Sequence, residues 1–225
     1  MEDGKQMINI IYEDNHLLIV EKPVNMPVCE DSSRDMDLLT YLKGYIKNKY
    51  NKPGNVYLGL VHRLDRPVGG IIVFAKTSKC ASRLSEQIRN KTFKKTYYAV
   101  IEGKIQNEGT YKDRLLKDSR NNSVKIDKNG KESVLNYKLI DYNKDYSLVK
   151  INLITGRSHQ IRVQFSSRNH ALYGDQKYNK NSKVGQQIAL FSNKVEFVHP
   201  TTKEKLEFIL PLPNKYPWNI FKKSI

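Results

Sequence analysis

Three short segments of the chain combine acidic, basic and aromatic side chains that could perform chemistry. They are His62-Arg63-Leu64-Asp65, Lys94-Lys95-Thr96-Tyr97-Tyr98, and Thr155-Gly156-Arg157-Ser158-His159-Gln160-Ile161-Arg162. The first places a carboxylate beside basic side chains, at the end of an apolar stretch and just before a Gly-Gly pair. A carboxylate that stays ionised in such a place can act as a nucleophile or as a general base. Asp65 is therefore one candidate for a catalytic group.

Each segment also has a purely structural interpretation. Asp65 could be a turn residue with an incidental ion pair, because most Asp residues are exposed. Tyr97 and Tyr98 are good strand formers, and as neighbours in a strand they must face opposite sides. Arg157 and Arg162 could form a basic helix face that binds phosphate, with His159 capping the turn. Only the combination of the three segments favours a reactive site.

The pattern of apolar residues predicts the elements that position these segments. We expect short strands in the Ile-rich opening and at Leu17–Val20, a helix over 36–50, strands over 56–61 and 71–75, and a helix from an N-cap at Ser78 to about Asn90. Further strands are predicted over 96–102, 134–140 and 146–153, a helix over 157–168, and two strands within 189–210. The polar stretch 103–131 is predicted to be a hairpin or a mobile excursion.

Strands outnumber helices and mostly follow one another through short connections. This order favours an α+β fold with a mixed, largely antiparallel central sheet and flanking helices, rather than a doubly wound parallel sheet. The chain has neither the G-x-G-x-x-G pattern nor the G-x-x-x-x-G-K-[ST] pattern, so nothing indicates a nucleotide cofactor.

Taken together, the motifs resemble those of RluA-type pseudouridine synthases in order and in spacing. His62-Arg63-Leu64-Asp65 resembles the motif with the catalytic Asp, and the segments around Tyr97 and around Arg162 resemble two later motifs. The resemblance extends from about residue 10 to 213 and includes Leu18-Ile19-Val20-Glu21-Lys22-Pro23 and Gly174-Asp175. It implies a pseudouridine synthase-like fold and isomerisation of uridine in RNA, without a cofactor.

The resemblance also implies roles for individual residues. Asp65 matches the essential carboxylate, and Arg162 matches a basic residue expected to lie beside it and keep it ionised. Tyr97 matches a tyrosine that stacks on the uracil or assists proton removal at C5. Arg63 matches a residue that fills the space of a flipped-out nucleotide. His62, Arg157, His159, Lys94 and Lys95 are expected to bind the substrate.

The chain differs from the usual family pattern in two respects. Residues Pro67-Val68-Gly69-Gly70 follow Asp65 where the family often has a hydroxyl-bearing residue. The first motif begins about ten residues into the sequence, so we expect no S4-like RNA-binding module. Residues 1–225 are predicted to form one catalytic domain of two lobes that share one sheet, and the domain itself must then bind RNA.

The charge of the chain agrees with an RNA partner, either ribosomal or transfer RNA. Lys and Arg number 39 and Asp and Glu number 23, which gives a formal net charge of +16. Residues 76–95 carry seven basic side chains and one acidic one, and residues 157–183 carry six and one. Local excesses of this kind release counterions from a phosphate backbone.

Other compositional features exclude several classes of protein. No apolar stretch approaches the roughly 20 residues of a spanning helix, and residues 1–10 lack the pattern of a signal peptide. We therefore expect a cytoplasmic protein. The only cysteines, Cys29 and Cys80, are too few for a disulfide framework and are expected to be buried or half-buried thiols. No His or Cys spacing suggests a metal. No exposed apolar helix face is evident, which favours a monomer.

Two other functions are consistent with the same residues. The protein could bind RNA or assist ribosome assembly on this fold without catalysis, although the Asp65, Tyr97 and Arg162 matches argue against that. It could also be a nucleobase glycosylase or hydrolase, since attack by a carboxylate at an anomeric carbon is shared chemistry. That reaction would call for a second carboxylate. The nearest, Asp175 and Glu102, are expected to be structural.

Overall fold

The computed structural model of the chain describes residues 7–221. Within this range the strands are β1 (Asn9–Glu13), β2 (Leu17–Lys22), β3 (Gly59–Leu60), β4 (Gly69–Ala75), β5 (Lys94–Glu102), β6 (Glu108–Asp118), β7 (Ser123–Ile126), β8 (Lys131–Asn143), β9 (Tyr146–Leu153), β10 (Leu190–Val198) and β11 (Lys205–Ile209). The helices are α1 (Leu38–Lys49), α2 (Ser78–Arg89), α3 (Gln160–Ser166) and a short 3-10 helix, Trp218–Phe221. The first six and last four residues of the predicted domain, including most of the segment tested for a signal peptide, lie outside the described residues.

Side-chain caps begin the two longer helices. The Asp37 carboxylate accepts a hydrogen bond from the backbone N of Thr40 at 2.9 Å, one turn into α1. The buried side chains of α1 lie on one face of the helix, four residues apart: Leu38, Leu42 and Ile46. In α2 the N-cap is Thr77, whose hydroxyl accepts from the Cys80 N at 3.2 Å. The expectation that Ser78 caps this helix is therefore wrong by one residue, because Ser78 already has helical geometry.

The described chain forms two compact units. Unit 1 consists of residues up to 93 together with 196–208, and unit 2 consists of residues 94–195 together with 209 onwards. The chain passes from one unit to the other just before β5, within β10 and near the end of β11.

Unit 1 is built on the antiparallel order β1-β2-β4, with β3 also paired to β4. All seven residues of β4 and five of the six residues of β2 are buried. Such continuous burial explains why both strands read as apolar runs rather than as an alternating pattern. The end of β2 and the start of β4 face each other through the pair Lys22 and Gly70.

Unit 2 contains the antiparallel order β5-β9-β8-β6-β7. One face of this sheet packs against α3 through an aromatic cluster. The rings of Tyr111, Tyr137 and Phe165 have centroids 4.9 to 5.6 Å apart in tilted and edge-on arrangements. This packing fixes α3, which carries Arg162, on the sheet that carries Tyr97.

The described elements confirm an α+β fold with a mixed, largely antiparallel sheet. The stretch 103–131 is a hairpin of β6 and β7 that leads into β8, so the hairpin alternative is confirmed. Cys80 is buried and Cys29 half-buried, also as expected. No helix within residues 7–221 is long and apolar enough to cross a membrane.

Two predicted elements are wrong in extent. The strand expected over 56–61 contains only Gly59 and Leu60, which pair with Ala75 and Phe74 of β4. The helix expected over 157–168 begins only at Gln160, because the preceding His159 has a left-handed backbone with φ of 51°.

Candidate active site

In unit 1 the segment 62–65 alternates between buried and more exposed side chains. His62 and Leu64 are buried, Arg63 is exposed and Asp65 is half-buried. The His62 Nε2 accepts a hydrogen bond from the backbone N of Val73 at 3.1 Å, and its ring lies 5.5 Å from that of Phe93. His62 therefore attaches the segment to the buried strand β4.

Asp65 begins a tight turn that leads into β4. Its carbonyl oxygen accepts from the Val68 N at 2.9 Å. Gly70 follows with φ of 116°, a backbone geometry that side chains rarely adopt. The turn that begins at Asp65 contains Pro67 and closes at Val68, and Gly70 allows the unusual backbone geometry at the start of β4.

A buried lysine, not among the site residues expected from sequence, supports this turn. Lys22 is 0% exposed, and its Nζ donates to the carbonyl oxygens of Pro23, Met26 and Arg66 at 2.8, 2.7 and 2.9 Å. Burial lowers the pKa of Lys22 to about 7, while the neighbouring Asp65 carboxylate raises it and Arg66 lowers it. The Lys22 Nζ thus lies against the turn that begins at Asp65. The sequence signal for it was a lysine at the end of an apolar strand.

In unit 2 the turn before α3 is held by the side chain of Gln160. Its Oε1 accepts from the Arg157 N at 3.0 Å and from the Thr155 hydroxyl at 2.8 Å. The Thr155 hydroxyl oxygen also accepts from the Val134 N of β8 at 2.8 Å. Arg157 is exposed, and its Nε donates to the carbonyl oxygen of Glu132. The turn is thereby fastened to β8, with the Arg157 guanidinium at the surface.

Arg162 forms a buried two-point ion pair with Asp175. The Arg162 Nε and Nη2 donate to the two Asp175 oxygens at 2.9 and 2.7 Å, and the two residues are 6% and 1% exposed. Asp175 also accepts from the backbone N of Lys177 and Tyr178, which confirms its expected role in a turn. Gly174 precedes it with φ of 70°, and a Cβ there would lie 2.3 Å from the Gln187 carbonyl oxygen.

Tyr178 connects His159, Arg162 and the β6–β7 hairpin. Its hydroxyl lies 2.6 Å from the His159 Nδ1 and accepts from the Val124 N at 2.9 Å. Its ring lies 5.1 Å from the Arg162 guanidinium carbon and packs on Leu115, Val124 and Val163. His159 makes no side-chain cap to α3, so its contact is with Tyr178.

The adjacent residues at the start of β5 differ in their surroundings. Lys94 is exposed, whereas Lys95 is 9% exposed and its pKa is lowered by burial. The Lys95 Nζ would lie 3.0 Å from a Cβ on Gly156, so it packs on the turn that carries Arg157. Tyr97 is 5% exposed and Tyr98 half-buried, which confirms their opposite orientations.

The structure thus groups the expected residues by unit. His62, Arg63 and Asp65 share one segment of unit 1 with Lys22 behind it, and the β5 and α3 residues belong to unit 2. Within the described part of the chain, no group of three or more His, Cys, Asp or Glu side chains could hold a metal ion. The functional groups available are therefore carboxylate, guanidinium, ammonium, imidazole and phenol.

Comparisons with known proteins point to one protein family. The sequence profile described as RNA pseudouridylate synthase matches residues 16–167. The uncharacterised RNA pseudouridine synthase YhcT of Bacillus subtilis is 36% identical over 92% of this chain and 69% of its own length. The ribosomal large subunit pseudouridine synthase C of Vibrio cholerae is 33% identical over 90% of this chain and 65% of its own length.

The chain belongs to the RNA pseudouridylate synthase family, which confirms the resemblance seen in its motifs. It spans about two thirds of the length of these curated relatives. The human RNA pseudouridylate synthase domain-containing proteins 4 and 1 share its fold, each with a TM-score of 0.76, at 20% and 23% identity. They cover 91% and 96% of this chain, and the match covers 88% of each of them.

Proposed function

We propose that this protein converts specific uridines of structured RNA to pseudouridine, with Asp65 as the reacting carboxylate. The observation that carries the proposal is the position of Asp65 at the start of a turn that the buried Lys22 holds through the Arg66 carbonyl oxygen, within the motif that the family profile covers. From the start of this turn the Asp65 carboxylate can act on the sugar of the bound nucleotide.

The reaction exchanges one glycosidic bond for another. The N1–C1′ bond of uridine breaks, the uracil turns, and a C5–C1′ bond forms while C5 loses a proton and N1 gains one. Asp65 acts either by adding at C1′ or by removing a proton from C2′. In this proposal Tyr97 stacks on the uracil or assists removal of the C5 proton, and Arg162 stabilises charge at the reacting centre.

The remaining residues are assigned to RNA binding. The exposed Arg63 takes the place of the flipped-out nucleotide, which must leave its stack before the enzyme can reach the sugar. The exposed Arg157 and Lys94 contact phosphates, whereas the buried His62 and Lys95 and the half-buried His159 support the surfaces that bind RNA. We place the enzyme in the cytoplasm, as a monomer without a cofactor.

Ribosomal RNA is the proposed substrate class. Relatives from Vibrio cholerae and Zymomonas mobilis carry the names ribosomal large subunit pseudouridine synthase C and D, at 33% and 31% identity. The glycosylase alternative has less support, because Asp175 is paired with Arg162, and Glu102 accepts hydrogen bonds from Asn179 and Asn181 at 2.7 and 2.9 Å.

Replacement of the carboxylate tests the proposal. Asp65→Asn and Asp65→Ala should abolish tritium release from 5-tritiated uridine in large-subunit ribosomal RNA, while circular dichroism shows an unchanged fold. Full activity in either variant would exclude Asp65 as the reacting group. Free uracil among the products would indicate a glycosylase. An assembly defect that Asp65→Ala rescues, without pseudouridine formation, would indicate an RNA-binding role.

A further inference from the structure

Arg66, the neighbour of Asp65, has a fixed backbone and a surface side chain. Its carbonyl oxygen accepts from the buried Lys22 Nζ at 2.9 Å, and it lies in the turn closed by the bond between Val68 N and Asp65 O. Its side chain, by contrast, is 40% exposed. The guanidinium group is therefore held one residue from the reacting carboxylate while it stays accessible to solvent.

The guanidinium group of Arg66 is bound by a short acidic segment, residues 30–35. We call this segment the acidic strap. The Arg66 Nη1 donates to the Ser33 hydroxyl at 2.8 Å and lies 3.4 Å from an Asp31 oxygen, and Nη2 pairs with the Asp35 carboxylate. The strap is also bound to itself, since Asp31 accepts from both the N and the hydroxyl of Ser33.

These contacts resemble the way in which a guanidinium group binds phosphate. Two carboxylates and a hydroxyl present anionic and neutral oxygens to the fork of Arg66, as a phosphodiester does. The carboxylates are 40% and 54% exposed, and exposed ion pairs of this kind are weak. A polyanion that approaches Asp65 can therefore compete with the strap for Arg66.

We propose that Arg66 is a phosphate-binding residue for RNA, and that the acidic strap competes with the RNA backbone for its guanidinium group. Binding of RNA exchanges the two carboxylates for a phosphate next to the target nucleotide. A polyanion must displace the acidic strap before it can bind Arg66. The strap therefore weakens the binding of RNA at this turn, and an RNA that makes few other contacts is disfavoured most.

The inference rests on the proposed function only in taking RNA as the polyanion. A binding measurement without turnover therefore tests the competition for Arg66 separately from the proposed isomerase activity. If neither the wild type nor any variant formed pseudouridine, the proposed function would fail, but the competition for Arg66 could still be observed. If the competition were absent, Asp65 could still be the reacting group.

The experiment measures binding of a labelled transcript of large-subunit ribosomal RNA at several salt concentrations. The variant Asp31→Asn/Asp35→Asn should bind about threefold more tightly at low salt, since two weak exposed ion pairs no longer compete. The gain should shrink as salt is raised. A charge-matched control, Glu86→Gln/Glu204→Gln, removes two exposed carboxylates elsewhere in unit 1 and should give a smaller gain.

A third comparison separates the contribution of Arg66 to RNA affinity from the effect of net charge. In the background Arg66→Ala, the same two strap substitutions should increase affinity no more than the control pair does. A gain that persists without Arg66, or that equals the control gain in the wild-type background, would overturn the proposal. Arg66→Ala alone should weaken binding and lower the salt dependence by roughly one released counterion.

Discussion

Arg162 and Asp175 form a buried ion pair in which two guanidinium nitrogens of Arg162 contact the two carboxylate oxygens of Asp175 at 2.9 and 2.7 Å. The Asp175 side chain is fully buried and that of Arg162 is 7% exposed. Charges in such a place are expensive to bury unless each has its partner. The pair therefore fixes the orientation of Arg162 on α3, and Asp175 acts on the proposed chemistry through Arg162.

Loss of the Asp175 charge should destabilise the protein strongly. Asp175→Asn leaves a buried guanidinium without its counter-charge, and breaking such pairs typically costs about 3 kcal/mol or more. Urea denaturation followed by fluorescence should show a decrease of that size in the free energy of unfolding.

The more exposed pair of Lys125 and Asp127 provides a control. Its two charged atoms lie 3.2 Å apart, and the Lys125 and Asp127 side chains are 69% and 21% exposed. Asp127→Asn should change the free energy of unfolding by less than about 1 kcal/mol, because solvent screens such pairs. Equal effects of the two substitutions would show that burial does not govern the Arg162–Asp175 pair.

The buried Lys22 should make stability depend on pH in alkaline solution. Its pKa is about 7 in the folded protein against an ordinary 10.5, so the folded state binds this proton more weakly than the unfolded chain does. Between about pH 7 and pH 10 the unfolded state holds more protons, and stability therefore rises with pH. One proton changes the free energy of unfolding by at most about 1.4 kcal/mol per pH unit.

The slope of the free energy of unfolding against pH shows whether Lys22 is responsible. Lys22→Met loses three hydrogen bonds to carbonyl groups and should be less stable at every pH, but it should also lose this part of the pH dependence. Urea titrations at several pH values between 7 and 9.5 measure the slope for both proteins. The exposed Lys79→Met serves as control and should keep the wild-type slope. A wild-type slope in Lys22→Met would assign the effect to other groups.

The fold class and the motif residues could be predicted because they depend on local patterns. Strand β9 is predicted to the residue, and α1 within two residues at each end, because the alternation of buried residues and the helical spacing are local properties. The shortened α3 could not be predicted in this way. Its start depends on the left-handed backbone of His159, a conformation that sequence pattern does not reveal for a residue other than glycine.

The partners of the site residues were the part that sequence could not supply. The pairing of Arg162 with Asp175 and the position of Lys22 behind Asp65 depend on contacts between distant parts of the chain. Composition likewise treats Lys94 and Lys95 as equivalent basic residues. The structure separates them, because successive side chains in a strand point to opposite faces.

Removal of the Tyr178 hydroxyl should loosen the β6–β7 hairpin. In Tyr178→Phe the ring still packs beneath Arg162, but the Val124 N–H loses its acceptor, and an unsatisfied buried donor costs about 1 to 3 kcal/mol. Hydrogen exchange at the Val124 amide should therefore become faster relative to the wild type. The Val149 amide of strand β9, which is paired with β5 and β8 away from the hairpin, serves as an internal reference. Unchanged protection of the Val124 amide would show that the hydroxyl does not hold the hairpin.

Substitutions at Lys94 and Lys95 should affect different properties. Lys94→Ala removes an exposed charge, so RNA affinity should fall and the salt dependence should decrease by roughly 0.9 in log–log slope, with stability unchanged. Lys95→Ala removes a buried side chain that packs on the Gly156 turn, so the free energy of unfolding should fall. Filter binding at several salt concentrations and urea denaturation separate the two effects. Replacement of the exposed Lys52, which lies just after α1, by Ala should change neither. An unchanged salt slope in Lys94→Ala would show that this lysine does not contact RNA phosphate.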